Sequence, residues 1–320
     1  MAILVRYALF FPALFSVVAG SIFTDCPLAF GNCSSDWIGY QFYDRENREY
    51  GQYVEVTAAG NNLTEAGFDW KKPVTVIIPG YAETTHRFEL AALKRELLKN
   101  SDMSVLIMDW SKLTDDCYIT AVINARYAGR CLADLVDTLG RPSTGLHVIG
   151  FSLGGHVPGS AADFLAPYKI PRITGLDPAF PLFWGLISQR RLSKDDGEFV
   201  DVVHTNAFLK GHILPLGHVD FFINGGMIQP GCSGSIFDVI DCSHLRSPIY
   251  YAESINSDIG FWGCGTSYFY AFFESCQPED VSLLMGYHVN KKVRGIIMLT
   301  TKSKAPYANG KTSENRTLLQ

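Results

Sequence analysis

Nothing in this 320-residue sequence after its opening segment stays apolar long enough to cross a bilayer. Nor is there an excess of positive charge: 27 Lys and Arg stand against 32 Asp and Glu, a formal net charge of −5. That balance argues against a nucleic-acid partner and offers anionic membranes no broad basic face. The chain has no C-x-x-C pair and no His-rich tract, so its eight cysteines point away from zinc. It also lacks an internal repeat, a low-complexity linker and any composition break that would mark a second domain.

The first twenty residues carry one Arg, an apolar run from Tyr7 to Val18 and then small residues. This is the order of a secretory signal, with cleavage expected near Gly20. Residues 1–20 are therefore read as a signal peptide and 21–320 as one domain. All eight cysteines follow the signal, and an even count in a secreted chain favours disulfides. Sequons at Asn32, Asn62 and Asn315 are glycosylation candidates. The expected product is extracellular.

Short Val/Ile-rich runs alternate with helical patterns along the chain. Pro73–Pro79, Met103–Asp109, Leu146–Phe151, Arg172–Asp177 and Val200–Thr205 have the continuous apolar character of strands buried on both faces. Glu83–Asn100 sets Leu90, Leu93 and Leu97 on one helical face, with Thr84 or Thr85 able to cap its start. Tyr118–Leu139 and Leu153–Leu165 are further helix candidates. The pattern predicts an α/β fold, a mostly parallel central sheet with helices on both faces.

Within it, Gly150-Phe151-Ser152-Leu153-Gly154 follows an apolar strand and precedes a helix. That is the setting of a nucleophile elbow, at the carboxyl end of a strand where such sheets bind ligands. A serine hydroxyl needs a base, and the base an orienting acid; in this fold they follow in the order acid, then His. Asp177 closes the strand run "RITGL" and precedes Pro178. Five histidines follow it: His204, His212, His218, His244 and His288. His204 lies in one strand pattern and His218 begins another, so both read as structural. His244, read as a loop residue in "DCSHLRS" beside a cysteine, is the best base, though position alone does not settle it. The backbone N–H of Leu153 and that of Tyr81, after Gly80, are the expected oxyanion donors.

At these residues the chain resembles the animal, pancreatic-type lipase family. In loop pattern it is nearest the family's short-lid phospholipase A1 and insect neutral lipase members. The matching blocks are "GFSLGGHVPG", "ITGLDPAFPLF", "FVDVVHTN", "GHVDFFINGGMIQPGC" and "CSHLRSPIYYAESI", between about Pro73 and Gly286. The resemblance implies an α/β-hydrolase fold, a Ser152–His244–Asp177 triad, Tyr81 and Leu153 as oxyanion donors, and no cofactor. It implies pairing of Cys232 with Cys242 and Cys264 with Cys276; Cys117–Cys131 and Cys26–Cys33 are the remaining pairs expected.

Departures from the family refine this. Pro79 stands where the family usually has His, removing an N–H from the oxyanion loop. The family's calcium site would fall on "SQRRLSKDDGE", where Ser188 and Ser193 replace acidic ligands, so no metal is expected. The sequence stops before the family's C-terminal β-sandwich, so neither that domain nor a colipase partner is expected. Only nine residues separate Cys232 from Cys242, where the family carries its lid, and only eleven form Asn206–Leu216. Ile236, Phe237, Val239 and Ile240 either pack beneath this tied loop or give it an apolar edge facing lipid. The expectation is a hydrolase of phospholipid at a lipid surface. The alternatives are a neutral (triacylglycerol) lipase, or a non-catalytic lipid- or hormone-conjugate-binding protein like the yolk proteins on this scaffold.

Overall fold

The computed structural model describes residues 26–115, 117–184, 190–273 and 276–311. The expected signal peptide and Asn315 lie outside them; Asn32 and Asn62 are exposed. Thirteen strands are described. In chain order they are β1 (Gly39–Tyr43), β2 (Gln52–Val54), β3 (Val56–Thr57), β4 (Gly60–Asn61), β5 (Val74–Ile78), β6 (Ser104–Asp109) and β7 (Leu146–Phe151). They continue as β8 (Arg172–Leu176), β9 (Val200–His204), β10 (Val219–Ile223), β11 (Phe261–Thr266), β12 (Leu283–Met285) and β13 (Gly295–Leu299). The helices are α1 (Phe88–Asn100), α2 (Tyr118–Thr138), α3 (Val157–Leu165) and α4 (Ile236–Asn256).

Eleven strands form one sheet in the order β12-β11-β13-β10-β9-β8-β7-β5-β6-β1-β2. The run from β6 to β13 is parallel throughout. Antiparallel strands flank it on both sides. The five expected strands are all in the parallel run. Their continuous apolar character has a direct cause: alternate residues feed two different cores. In β7, Leu146 and Val148 join α2 and α3 on one face, while Ile149 and Phe151 join α1 and α4 on the other. This is the α/β-hydrolase fold.

Helix α1 buries Leu90, Leu93 and Leu97 as its spacing requires, but it begins at Phe88. Neither Thr84 nor Thr85 caps it; Arg87 holds the cap position without a side-chain hydrogen bond. Residues 83–87 instead turn towards the cleft described below. The third helical run opens as a 3₁₀ turn over Ser152–His156 before α3 begins.

Two expected disulfides hold, Cys232–Cys242 and Cys264–Cys276. The other two do not: the pairs are Cys26–Cys117 and Cys33–Cys131. Helix geometry is the reason. Cys117 sits at the α2 N-cap and Cys131 inside α2. The fourteen steps between them rise about 20 Å, and a disulfide tolerates at most about 7 Å between Cα atoms. The seven steps from Cys26 to Cys33 can reach roughly as far as that rise, at up to about 3 Å each. The amino-terminal segment therefore runs along α2 and is fastened at both ends. Between the staples, Ala29 N–H donates to Asn124 and the Tyr127 hydroxyl donates to the Asn32 carbonyl; just past them, Ser34 N–H donates to the same Tyr127. Four such bridges fit an extracellular protein.

Candidate active site

Strand β7 ends at Phe151, and the chain reverses at Ser152 with φ +54°. This left-handed backbone is uncommon for a residue with a side chain and marks a local strain. The two glycines make it possible. A Cβ on Gly150 would overlap the Gly154 carbonyl, and one on Gly154 would overlap the backbone of Ile78 and Pro79. Both positions lack room for any side chain.

Asp177 follows β8 with a second left-handed backbone, φ +43°. Its side chain is fully buried, and Oδ1 accepts N–H bonds from Thr205 (2.9 Å) and Asn206 (3.1 Å) just past β9. Oδ2 lies 2.6 Å from His244 Nδ1. His244 Nε2 in turn lies 2.8 Å from Ser152 Oγ. Residues from three distant stretches thus form one hydrogen-bonded chain, with the carboxylate desolvated and the hydroxyl at its accessible end.

His244 is in helix α4, not in the expected loop. Pro248 sits four residues later inside the same helix. Proline has no N–H, so the His244 carbonyl is deprived of its helical donor. The hydroxyls of Ser247 (3.0 Å) and Thr205 (3.4 Å) take its place. Thr205 therefore touches both Asp177 and His244, giving its N–H to the carboxylate and its hydroxyl to the His244 carbonyl. His204 and His218 are structural, as read. His204 Nε2 is 2.9 Å from Asp220, and His218 Nδ1 accepts the Val200 N–H.

A cleft of about 480 Å³ opens over Ser152 and His244. Tyr81, Tyr118 and Leu245 give it apolar walls; Glu83, Arg87, Lys210 and Asp241 give it charge. Lys210 and Asp241 are paired at 2.5 Å. Gly80 abuts the serine: a Cβ there would lie 2.8 Å from that of Ser152, closer than real Cβ atoms approach. The loop carrying Tyr81 accordingly runs beside Ser152, and Leu153 is buried just after it.

The segment between Cys232 and Cys242 is mostly helical, because α4 begins within it. Ser235 and Asp238 form a reciprocal capping box at its start. Ile236 and Phe237 are exposed, at 64% and 75%, whereas Val239 and Ile240 are partly covered. The first pair is thus free of packing beneath the tied segment, and the second is only partly packed.

The residues described around the calcium-site stretch do not fit that ion. Asp196 accepts the Ser193 N–H at 2.6 Å and closes a capping box, leaving it committed to the backbone. Burial pushes its carboxyl up to about 6. Ser188 lies outside the described residues, and among those residues no three His, Cys, Asp or Glu side chains gather as ligands.

The sequence reading missed Thr205, Asn206, Gly211 and Glu83. Thr205 and Asn206 reach Asp177 through backbone N–H groups, which no side-chain pattern reports. Gly211 is needed because a Cβ there would collide with the Asp177 carboxylate. Glu83 was legible only as a helix residue.

A family model described as Lipase matches residues 30–307. Human hepatic triacylglycerol lipase is 33% identical over 285 residues, covering 77% of this chain and 56% of that protein. Pancreatic triacylglycerol lipase of Myocastor coypus is 33% identical over 273 residues, covering 77% and 59%. Pancreatic lipase-related protein 2 of Mus musculus is 32% identical over 282 residues, covering 79% and 58%. The chain spans under three-fifths of the length of these relatives.

Proposed function

The chain belongs to the Lipase family, and from that premise we propose that it is a serine carboxylester hydrolase of glycerolipids. One observation carries the reading: His244 stands 2.8 Å from Ser152 Oγ and 2.6 Å from a buried Asp177. Asp177 keeps the imidazole oriented with Nδ1–H towards it, leaving Nε2 free to accept the serine proton. Ser152 Oγ then attacks the ester carbonyl. The Tyr81 and Leu153 N–H groups receive the oxyanion, and His244 returns the proton to the departing alcohol. Water, activated by the same imidazole, releases the fatty acid from the acyl-enzyme. Ser152→Ala should lower turnover on the order of a million-fold while leaving secretion intact. Activity within tenfold of wild type would remove Ser152 from its role.

The finer reading is that the substrate is a phospholipid, cleaved as by a phospholipase A1. Charged Arg87, Lys210 and Asp241 at the cleft support it, since a phospholipid headgroup is itself charged. The short, disulfide-bounded segment before Cys242 supports it too. Contact with lipid scales with apolar area, at about 25 cal/mol per Å², and this segment offers little. Triacylglycerol is the second reading, favoured by the relatives, two of which are named triacylglycerol lipases. Purified protein given phosphatidylcholine and triolein side by side separates them. Faster release from triolein, with a jump in rate once an emulsion forms, would reject the phospholipid reading.

A further inference from the structure

Glu83 stands three residues past Gly80, in the loop that carries Tyr81. It lines the cleft, yet only 8% of it is exposed. One carboxylate oxygen accepts the Gly80 N–H at 3.1 Å. The other lies 3.2 Å from Arg87 Nε, and Arg87 also reaches Glu89 at 3.1 Å. The rest of the loop is pinned as well. Buried Trp110 donates its indole N–H to the Pro79 carbonyl at 3.1 Å, and the Ala82 N–H donates to Thr114 at 3.3 Å.

These bonds answer the question that Pro79 raises. Proline withdraws one N–H from the loop and fixes its own φ. Gly80 then carries the loop's first N–H, and Glu83 occupies it. Tyr81 carries the next. A Cβ built on Gly80 would sit 3.3 Å from both Glu83 Oε2 and Ser152 Oγ, so carboxylate and hydroxyl flank the same glycine.

A carboxylate there has a cost. Negative charge beside a developing oxyanion opposes it, and burial already pushes the Glu83 carboxyl above its ordinary range. Arg87 and the Gly80 N–H act the other way, favouring the charged form. We infer that Glu83 is a positioning residue: it holds the Pro79–Gly80 peptide so that the following N–H is presented to the substrate carbonyl, with Arg87 offsetting its charge. The inference rests on the hydrolase reading of Ser152 given above.

The test uses the full secreted protein and a soluble ester, 4-nitrophenyl butyrate. Glu83→Ala should lower kcat about 100-fold, the scale of losing an oxyanion donor, with KM changed less than about threefold. Glu83→Gln keeps an acceptor for Gly80 and should stay within about fivefold of wild type. Arg87→Met should lower kcat about tenfold alone but little in the Glu83→Gln background, because the uncompensated charge is then absent. Hydrogen exchange across residues 78–87, read by mass spectrometry, should quicken in Glu83→Ala and not in Glu83→Gln. A Glu83→Ala kcat within twofold of wild type, or exchange unchanged by that substitution, would overturn the inference. So would an equal Arg87→Met effect in both backgrounds, or Gln behaving as Ala does. If wild-type hydrolysis proved independent of Ser152, the hydrolase reading would fail, whereas the exchange data would still judge the clamp.

Discussion

Gly211 has no side chain because Asp177 fills the place where one would go. Sequence gives no hint of this, since the two residues are far apart along the chain and Gly211 looks like an ordinary loop glycine. Its neighbours in space are the reason it matters. Asp177 already holds a strained backbone, and its carboxylate is gripped by Thr205, Asn206 and His244. Adding one methyl at Gly211 should push the carboxylate from the imidazole without touching the substrate cleft. Gly211→Ala is therefore expected to resemble Asp177→Asn, a loss of turnover on the order of 10⁴-fold, with a native near-ultraviolet spectrum. Activity of Gly211→Ala within tenfold of wild type would show that the carboxylate has room to yield.

At the scale of elements, helix α4 carries more of the site than its sequence suggests. The stretch "DCSHLRS" beside a cysteine reads as a loop, whereas His244 lies inside the helix together with Pro248. The proline is tolerated because two hydroxyls replace the N–H it lacks. Helix α1 was misjudged for the opposite reason: residues 83–87 look helical but are recruited by the cleft, with Glu83 turned back to Gly80. The parallel strands were legible because burial on both faces leaves only Val, Ile and Leu acceptable at most positions. The elbow was legible because its glycines are demanded by local crowding. The partners of Cys26, Cys33, Cys117 and Cys131 were not, though the length of α2 already forbids joining Cys117 to Cys131; the other two pairs stand as the family resemblance implied. The Cys232–Cys242 bridge, closing a separation of 10 residues at the start of α4, can be tested directly. Replacing both cysteines by Ser should lower unfolding stability by about 2–3 kcal/mol in the chain-entropy account, measured by urea titration. A loss under 0.5 kcal/mol would mean that the capping box of Ser235 and Asp238 holds this end unaided.

For the whole molecule, buried histidines set the response to acid. His156 is fully enclosed, stacked on Phe183 at 3.8 Å; its Nδ1 accepts the Leu192 N–H while Nε2 faces the Ala179 carbonyl. Only the neutral ring satisfies that pattern, and burial pushes its pKa down to about 3. Burial pushes His212 down to about 4. On unfolding, both return towards the ordinary value of about 6.5. The unfolded chain then binds more protons, so stability falls as pH drops from about 6.5 towards 4. Asp196 opposes this: its folded value of about 6 exceeds the ordinary 3.8, so acid favours its folded form between those values. Glu83 and Asp134 are raised as well and act with Asp196, while His147 and His218 are lowered and act with His156 and His212; the histidines, with the larger shifts, should prevail. The urea midpoint is expected to fall steadily from pH 7 to 4.5, and less steeply in His156→Gln. An equal slope in that variant would clear His156 of the effect.

The helix that begins between Cys232 and Cys242 continues without a break to His244 and beyond. A flap that swings needs a hinge between itself and the machinery it uncovers, and here none intervenes. Lengthening this segment would change the leverage on the imidazole along with the cover over the cleft. A descendant or an engineer seeking a larger flap would first have to insert a joint ahead of Cys242, and a longer loop without one should show its cost in turnover before any change in substrate.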